Sequence, residues 1–489
     1  MNNYRRKRDF RRGYNSGNNI DSCRLLKSML SENGISASTP ETKDFIRWMT
    51  TEAWNNYQKD RMDKKIIVKN RIDSHPIVIP NATKGKHYSS PVITLPTEDA
   101  FDFSIEGPDE LGLIVLHDSD GVFKIAGTPQ VTGDFHFTLR YKYHGWLEGE
   151  PLLERKIPFA VNPNPRDLWK DIPTPTDIQF FKEDCEAEQI IIKAGPDGSP
   201  RKDMVAASKR GRSHAQEGKA RDDHFRLFHS DDNDWYIIAV ADGAGSARFS
   251  RKGSEVACNT VVDFCKTKLA DASAFEEKIN NYRNANDEET ARKILGDAVY
   301  SIVGNAAFMA HKAINALSDN VEGTKPKDFA TTLLLAICKK LDFGWFVASF
   351  WVGDGAMCIY NREKHTARLL GVPDEGEFSG QTRFLTMPEI FRDARSLYQR
   401  LRFGIVPDFT ALMLMTDGVS DPMFGTEANL NNIDRWDDLW DKLSNGFPED
   451  DIPGVDLSDD NENVKEGLLK WLDFWKPGEH DDRTIAILY

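Results

Sequence analysis

Trp235-Tyr-Ile-Ile-Ala-Val-Ala-Asp-Gly243 decides how this chain is read. An apolar run of strand length stops at an aspartate, and a glycine follows. Two other runs end the same way: Leu412-Met-Leu-Met-Thr416 before Asp417-Gly418, and Trp345-Phe-Val-Ala-Ser-Phe-Trp-Val352 before Gly353-Asp354-Gly355. A fourth, Thr484-Ile-Ala-Ile-Leu488, is preceded by Asp481-Asp482-Arg483. Each pattern predicts a strand that carries a carboxylate to a turn. A sheet holds such a carboxylate rigidly while glycine lets backbone and ligand approach, so several strand ends can converge on one hard cation. A single Asp-Gly pair is ordinary hairpin chemistry; repetition within one region is what points to a site. His and Cys are largely missing from these positions, so the ligand set would be all oxygen, which suits Mg²⁺ or Mn²⁺ and disfavours zinc.

Outward from these runs, residues 205–489 read as one large region mixing helices and strands. The segment 162–204 is punctuated by Asn162-Pro-Asn-Pro165, Ile172-Pro-Thr-Pro-Thr176 and Gly195-Pro-Asp-Gly-Ser-Pro200, and reads as a semi-rigid linker. Its apolar patch Gln189-Ile-Ile-Ile192 could already be a first strand of the large region. Over 66–161 the period shortens to strands separated by Gly, Pro, Asn and Asp, with Phe101-Asp-Phe-Ser-Ile105 and Phe135-His-Phe-Thr-Leu-Arg-Tyr141 alternating as half-buried antiparallel strands do. Gly121-Val-Phe-Lys-Ile-Ala-Gly-Thr-Pro129 followed by Gly133-Asp-Phe-His-Phe-Thr-Leu139 resembles the strand-turn-strand signature of immunoglobulin-like domains, which implies a β-sandwich module that binds or spaces. Over 21–65, Leu25, Leu26, Met29 and Leu30, then Phe45, Ile46, Trp48, Met49 and Trp54, predict two helices whose aromatics pack inward. Residues 1–20 join Arg5, Arg6, Lys7, Arg8, Arg11 and Arg12 to an Asn- and Gly-rich stretch, a basic disordered tail.

A length of 489 residues allows roughly two to four domains. Lys plus Arg number 63 against 77 Asp plus Glu, a formal charge of -14, which argues against general nucleic-acid or anionic-membrane binding. The six cysteines are scattered without a CxxC pair, which points to reduced thiols and a cytoplasmic protein. None is followed by arginine across a five-residue gap, as a cradled thiolate nucleophile would require. No apolar run reaches the roughly 18 to 20 residues of a membrane helix, and the basic N-terminus is not followed by a signal core.

Ser213-His-Ala-Gln-Glu-Gly218 with Arg221-Asp-Asp223, Ala241-Asp-Gly-Ala-Gly-Ser246 with Ser250 and Gly253, Asp328-Phe-Ala-Thr-Thr332, Trp351-Val-Gly-Asp-Gly355, Phe378-Ser-Gly-Gln-Thr-Arg-Phe-Leu-Thr386, Leu414-Met-Thr-Asp-Gly-Val-Ser420 and Asp481-Asp-Arg-Thr484 succeed one another in a recognisable order. Together they resemble the metal-dependent serine/threonine protein phosphatases of the 2C type, and most their bacterial branch. The resemblance implies an α+β fold, a sandwich of two antiparallel sheets flanked by helices, here preceded by the immunoglobulin-like module and the helical segment.

It also implies roles. Asp242 would bridge two Mn²⁺ or Mg²⁺ ions, with the Gly243 carbonyl on one; Asp417 and Asp481 would complete the other; Asp354 with Asp417 could hold a third. Asp223 would hold the attacking water, and His214 lies near a phosphate-binding position. Two bridged cations lower the pKa of a shared water, place it for in-line attack on phosphorus and neutralise the phosphoryl oxygens. The implied substrate is a phosphorylated protein, with a protein kinase as counterpart. The alternative is a catalytically weak pseudo-phosphatase that binds phosphoproteins or a kinase as a scaffold. Asp222 stands where the family usually has Glu, Gln or Asn, with Arg221 beside it. The acidic insertion 425–466 carries no family motif and reads as solvated surface with a packed Trp436 and Trp440 face. The stretch near Pro373 to Arg402 resembles a flap beside the catalytic face.

Overall fold

The structure, a computed structural model, describes residues 24–195, 198, 200–374 and 382–489. The expected tail 1–20 and the motif residues Phe378 to Gln381 lie outside them. The chain divides into two compact units, Met1–Leu168 and Trp169–Tyr489.

In the first unit a helix covers 24–32 and a second, 35 residues long, runs Pro40–Ser74. The second starts where its residues dictate. The Thr39 hydroxyl accepts from the Thr42 amide at 3.2 Å, and Pro40 removes an amide that would lack a helical partner there. Strands were expected from Ile66, but the helix continues to Ser74, because 66–74 holds no Gly or Pro and places Val68 and Ile72 four apart, both buried. The inward packing expected of Phe45, Trp48 and Trp54 is not found: they are 45, 59 and 40% exposed, and the helix buries only Ile46, Arg61, Val68 and Ile72.

Beyond the helix lies an all-β module of two four-stranded sheets. One orders Ala82–Thr83, Leu153–Asn162, Gly133–Tyr143 and Ala100–Glu106; in the other, Val122–Gly127 pairs with Tyr88–Ser89, Ile93–Thr94 and Leu113–Ser119. The expected alternation is present: Phe103 and Ile105 are buried on one strand, and Phe137, Leu139, Tyr141 and Tyr143 on another. Gly127 sits at φ 140°, where an added Cβ would lie 2.6 Å from the Gly112 carbonyl oxygen.

The second unit is built on two antiparallel sheets. The five-stranded sheet orders His224–His229, Tyr236–Ala241, Leu333–Leu341, Gly344–Val352 and Leu401–Val406. The six-stranded sheet orders Thr366–Leu369, Ala356–Asn361, Ala411–Met415, Arg483–Leu488, Met204–Lys209 and Cys185–Ile190. Phe225, Ile238, Trp345, Met204 and Leu412 pack between the two sheets. The outer face of the five-stranded sheet is covered by helices that include Ser250–Leu269 and Asn305–Asn320. The outer face of the six-stranded sheet is covered by Ile433–Asn445 and Val464–Trp471. Central strands are thus buried on both faces, which is why Tyr236–Ala241 reads as an unbroken apolar run.

The segment expected as a linker is not one throughout. Cys185–Ile190 lies inside 162–204 and pairs residue for residue with Met204–Lys209 as an edge strand of the six-stranded sheet. Its polar Glu186, Glu188 and Gln189 fit a one-sided edge position and hide it from an apolar-run reading. In the insertion 425–466, Trp436 is fully buried and donates its indole hydrogen to the Leu430 carbonyl at 2.8 Å, while Trp440 packs beside Tyr360. No described helix is long and apolar enough to cross a membrane.

Candidate metal centre

Three strand ends meet at one point of the second unit. One carboxylate oxygen each from Asp242, Asp354 and Asp417 lies within 4.8 Å of the others. Asp242 leaves Tyr236–Ala241, and Asp354 follows Gly344–Val352. The Asp417-Gly418 pair was expected in a turn, but Asp417 opens the helix Asp417–Phe424 directly after the strand Ala411–Met415. Gly418 serves close packing, since a Cβ there would lie 1.8 Å from the Asp482 carbonyl oxygen. Asp481 groups instead with His214 and Asp482, whose ligand atoms also lie within 4.8 Å of one another.

The backbone around Asp242 is pinned from the neighbouring strand. Its amide donates to the Thr332 hydroxyl at 2.8 Å, and its carbonyl accepts from the Thr332 amide and the Thr331 hydroxyl, each at 2.8 Å. At Gly243 a Cβ would lie 2.7 Å from the Asp222 carbonyl oxygen, so the chain can pass only as glycine. Asp223 is fully buried; one of its oxygens accepts from the Thr416 hydroxyl at 2.9 Å and the Thr484 hydroxyl at 2.7 Å. Its backbone carbonyl accepts from the buried Lys182 ammonium at 2.9 Å. The Thr382 hydroxyl donates to Asp354.

Electrostatics mark the cluster as short of positive charge. Burial, then the charges of Asp417, Asp223 and Asp481, hold the Asp242 carboxyl well above the usual carboxylate range. Asp417 is raised in the same way by burial and by Asp354 and Asp481. Burial and Asp482 push Asp223 up to about 7, and the same two causes push Asp222 to about 6. Among the described residues, Oδ1 of Asp223, of Asp354 and of Asp417 is buried without a hydrogen-bond partner. Buried carboxylates that repel one another and leave oxygens unpaired suit hard divalent cations. The donor set therefore fits Mg²⁺ or Mn²⁺ held by Asp242, Asp354 and Asp417.

A second layer holds this cluster in place. One oxygen of Asp482 accepts from the Gly211 amide at 2.6 Å and contacts His214 Nδ1 at 3.0 Å, while the other accepts from the Asp222 amide at 2.5 Å. Burial would lower the His214 pKa, but its hydrogen bond to Asp482 and the charges of Asp482, Asp222 and Asp481 carry it to about 9. Against the upward push of burial, the contact with His214 and the two amides keeps Asp482 below the ordinary range. Both His214 nitrogens face carboxylates, Nε2 lying 3.6 Å from Asp222.

Sequence reasoning assigned no role to Asp482, Thr416, Thr484 or Lys182. The first three stand inside quoted motifs beside assigned aspartates, so adjacency was an available signal. Lys182, one of four lysines in the Pro-rich stretch 162–204, offered none. It is buried against Asp223 and Ser254, and burial together with Arg221 lowers its pKa to about 8.

Residues 210–473 match the family described as Protein phosphatase 2C. A serine-threonine phosphatase 2C from Toxoplasma gondii is 13% identical over 62% of this chain and 98% of its own, with a TM-score of 0.37. A bacterial serine phosphatase is 12% identical over 58% of this chain and 96% of its own, with a TM-score of 0.34. A serine/threonine phosphatase from Staphylococcus aureus is 11% identical over 65% of this chain and 96% of its own, with a TM-score of 0.31. No curated protein sequence matches.

Proposed function

The chain belongs to the protein phosphatase 2C family, and on that premise we propose that it removes phosphate from phosphoserine and phosphothreonine in proteins with the help of two Mn²⁺ or Mg²⁺ ions, with a place for a third. The observation that carries the reading is the convergence of Asp242, Asp354 and Asp417, in which Oδ1 of Asp354 and of Asp417 is buried with no hydrogen-bond partner among the described residues. In this reading Asp242, the Gly243 carbonyl, Asp417 and Asp481 would hold the two ions, and Asp354 with Asp417 would hold the third. When bound, the cations supply an acidified water and neutralise charge on the phosphoryl oxygens.

The chain's own groups do the positioning. Asp223 is anchored by the Thr416 and Thr484 hydroxyls, and its other oxygen, which has no hydrogen-bond partner among the described residues, would accept from the attacking water. His214, held cationic between Asp482 and Asp222, fixes the loop from Gly211 to Asp223 and places positive charge near the phosphate.

The two small sheets and the edge pairing of Ala82–Thr83 parallel to Val161 and Asn162 support an immunoglobulin-like module that binds or spaces. The described cysteines are unpaired, which supports a cytoplasmic site of action. A protein kinase is the natural counterpart of such an activity.

The test is Mn²⁺-dependent phosphate release from a phosphothreonine peptide and from p-nitrophenyl phosphate, comparing the full chain with Asp242→Ala and Asp417→Ala. Metal-dependent turnover lost in both variants supports the reading. Turnover no higher than theirs overturns it and leaves the phosphoprotein-binding scaffold.

A further inference from the structure

Beside the carboxylate cluster lies a cavity of about 730 Å³ whose wall includes Lys327, Arg383, Arg392 and Arg400 against, among the described residues, a single acidic side chain, Glu389. Two of the four cations are committed: Arg400 pairs with Asp374 and donates to the Trp351 carbonyl at 3.3 Å, and Arg392 lies 3.6 Å from Asp393. The side chains of Lys327 and Arg383 form no ion pair among the described residues. In a chain of net charge -14 this is a local reversal of sign.

The cavity touches the centre from two sides. Thr382, in its wall, donates to Asp354. Ala330, also in its wall, directly precedes Thr331, whose hydroxyl holds the Asp242 carbonyl at 2.8 Å. A peptide whose phosphorylated residue sits over the carboxylates therefore has neighbouring residues within reach of Lys327 and Arg383, since successive residues of an extended chain advance roughly 3.3 Å each.

We propose that this cavity takes the carboxylate side chains of residues flanking the phosphorylated residue, so that the preferred substrates are acidic phosphopeptide segments. This deepens the phosphatase reading and rests on it. Uncommitted cations in a partly enclosed wall attract Asp and Glu and repel Lys and Arg, which separates substrates by rejection as much as by attraction. The carboxylates of the centre repel an acidic substrate until cations neutralise them, so the basic cavity also sets the direction from which such a peptide approaches.

The experiment uses the full chain with Mn²⁺ and phosphothreonine peptides whose flanking residues are Glu, Ala or Lys. The wild type is expected to favour the Glu peptide over the Lys peptide by about tenfold or more in kcat/KM, mainly through KM, and to lose that ratio as salt rises. Arg383→Gln and Lys327→Gln are each expected to cut the ratio by about fivefold, the effect of one lost contact of modest strength. A flat ratio in the wild type, or a ratio unchanged in both variants, overturns the proposal. Turnover of p-nitrophenyl phosphate separates the failures. With it present and the ratio flat, only the acidic preference falls; with it absent, the phosphatase reading falls and takes this inference with it.

Discussion

Asp482 contacts His214 Nδ1 at 3.0 Å while its carboxylate also receives the amides of Gly211 and Asp222. One buried charge thus ties the last strand of the six-stranded sheet to the loop that carries Asp223. Removing it leaves a buried imidazolium and two amides without acceptors. Asp482→Ala is expected to lower the unfolding free energy by about 3 kcal/mol, the usual scale for breaking a buried charged pair. Asp482→Asn, which keeps one acceptor oxygen, should cost less. Denaturant unfolding of the three proteins checks the order, and equal stabilities would refute the anchoring role.

The carboxylate cluster predicts an unusual response to neutralisation. Without metal, Asp242→Asn and Asp417→Asn each remove a source of like-charge repulsion, so each variant should melt higher than the wild type by about 3 °C, the shift that roughly 1 kcal/mol produces at this size. With Mn²⁺ the order should reverse, because only the wild type gains stability from binding. If Mn²⁺ raises Tm equally in all three, these residues do not hold it.

The same groups set a pH dependence for the metal-free protein. Asp222, Asp223 and Asp421 have folded pKa values of about 6, 7 and 6, above the roughly 3.9 of an unfolded aspartate. Between these limits the folded chain binds more protons than the unfolded one, so stability falls as pH rises. Metal-free Tm is expected to drop from about pH 6.5 to pH 8, above the range in which the buried, neutral His224 opposes the trend, and saturating Mn²⁺ to flatten the drop. A metal-free Tm that rises over this range would contradict the sign.

Gly418→Ala tests close approach against turn chemistry. The added methyl would lie 1.8 Å from the Asp482 carbonyl oxygen, so the first turn of Asp417–Phe424 must move and carry Asp417 with it. The expected cost is about 1 to 3 kcal/mol, together with weaker Mn²⁺ binding by titration calorimetry. An alanine in an ordinary exposed turn would leave metal affinity unchanged.

Truncation separates the two readings of 162–204. A chain starting at Trp169 keeps Lys182 and the edge strand Cys185–Ile190 and should fold with a sharp thermal transition. One starting at Val205 loses the partner of Met204–Lys209 and the lysine under Asp223, and should be aggregated or lack a cooperative transition. Equal folding of both would make the segment a spacer after all.

The sequence by itself determined the strands that end in aspartate, the glycines beside them and the family, because each is written in consecutive residues: an apolar run of strand length, a small residue, an acid. It also showed the alternation of Phe137, Leu139 and Tyr141, a pattern of period two that no distant contact is needed to read. Only the tertiary structure decided that Asp354 joins Asp242 and Asp417 while Asp481 sits with His214 and Asp482, since these groups are separated by up to hundreds of residues and meet only when two sheets stack. It likewise moved the helical boundary from 65 to 74 and turned part of a linker into an edge strand. Both depend on what a weakly apolar segment finds to pack or pair against, and Cys185–Ile190 finds Met204–Lys209 across the six-stranded sheet. The role of Lys182 belongs to the same class, because an ammonium's effect is set by burial and by the carbonyl it meets, neither of which its sequence neighbours contain.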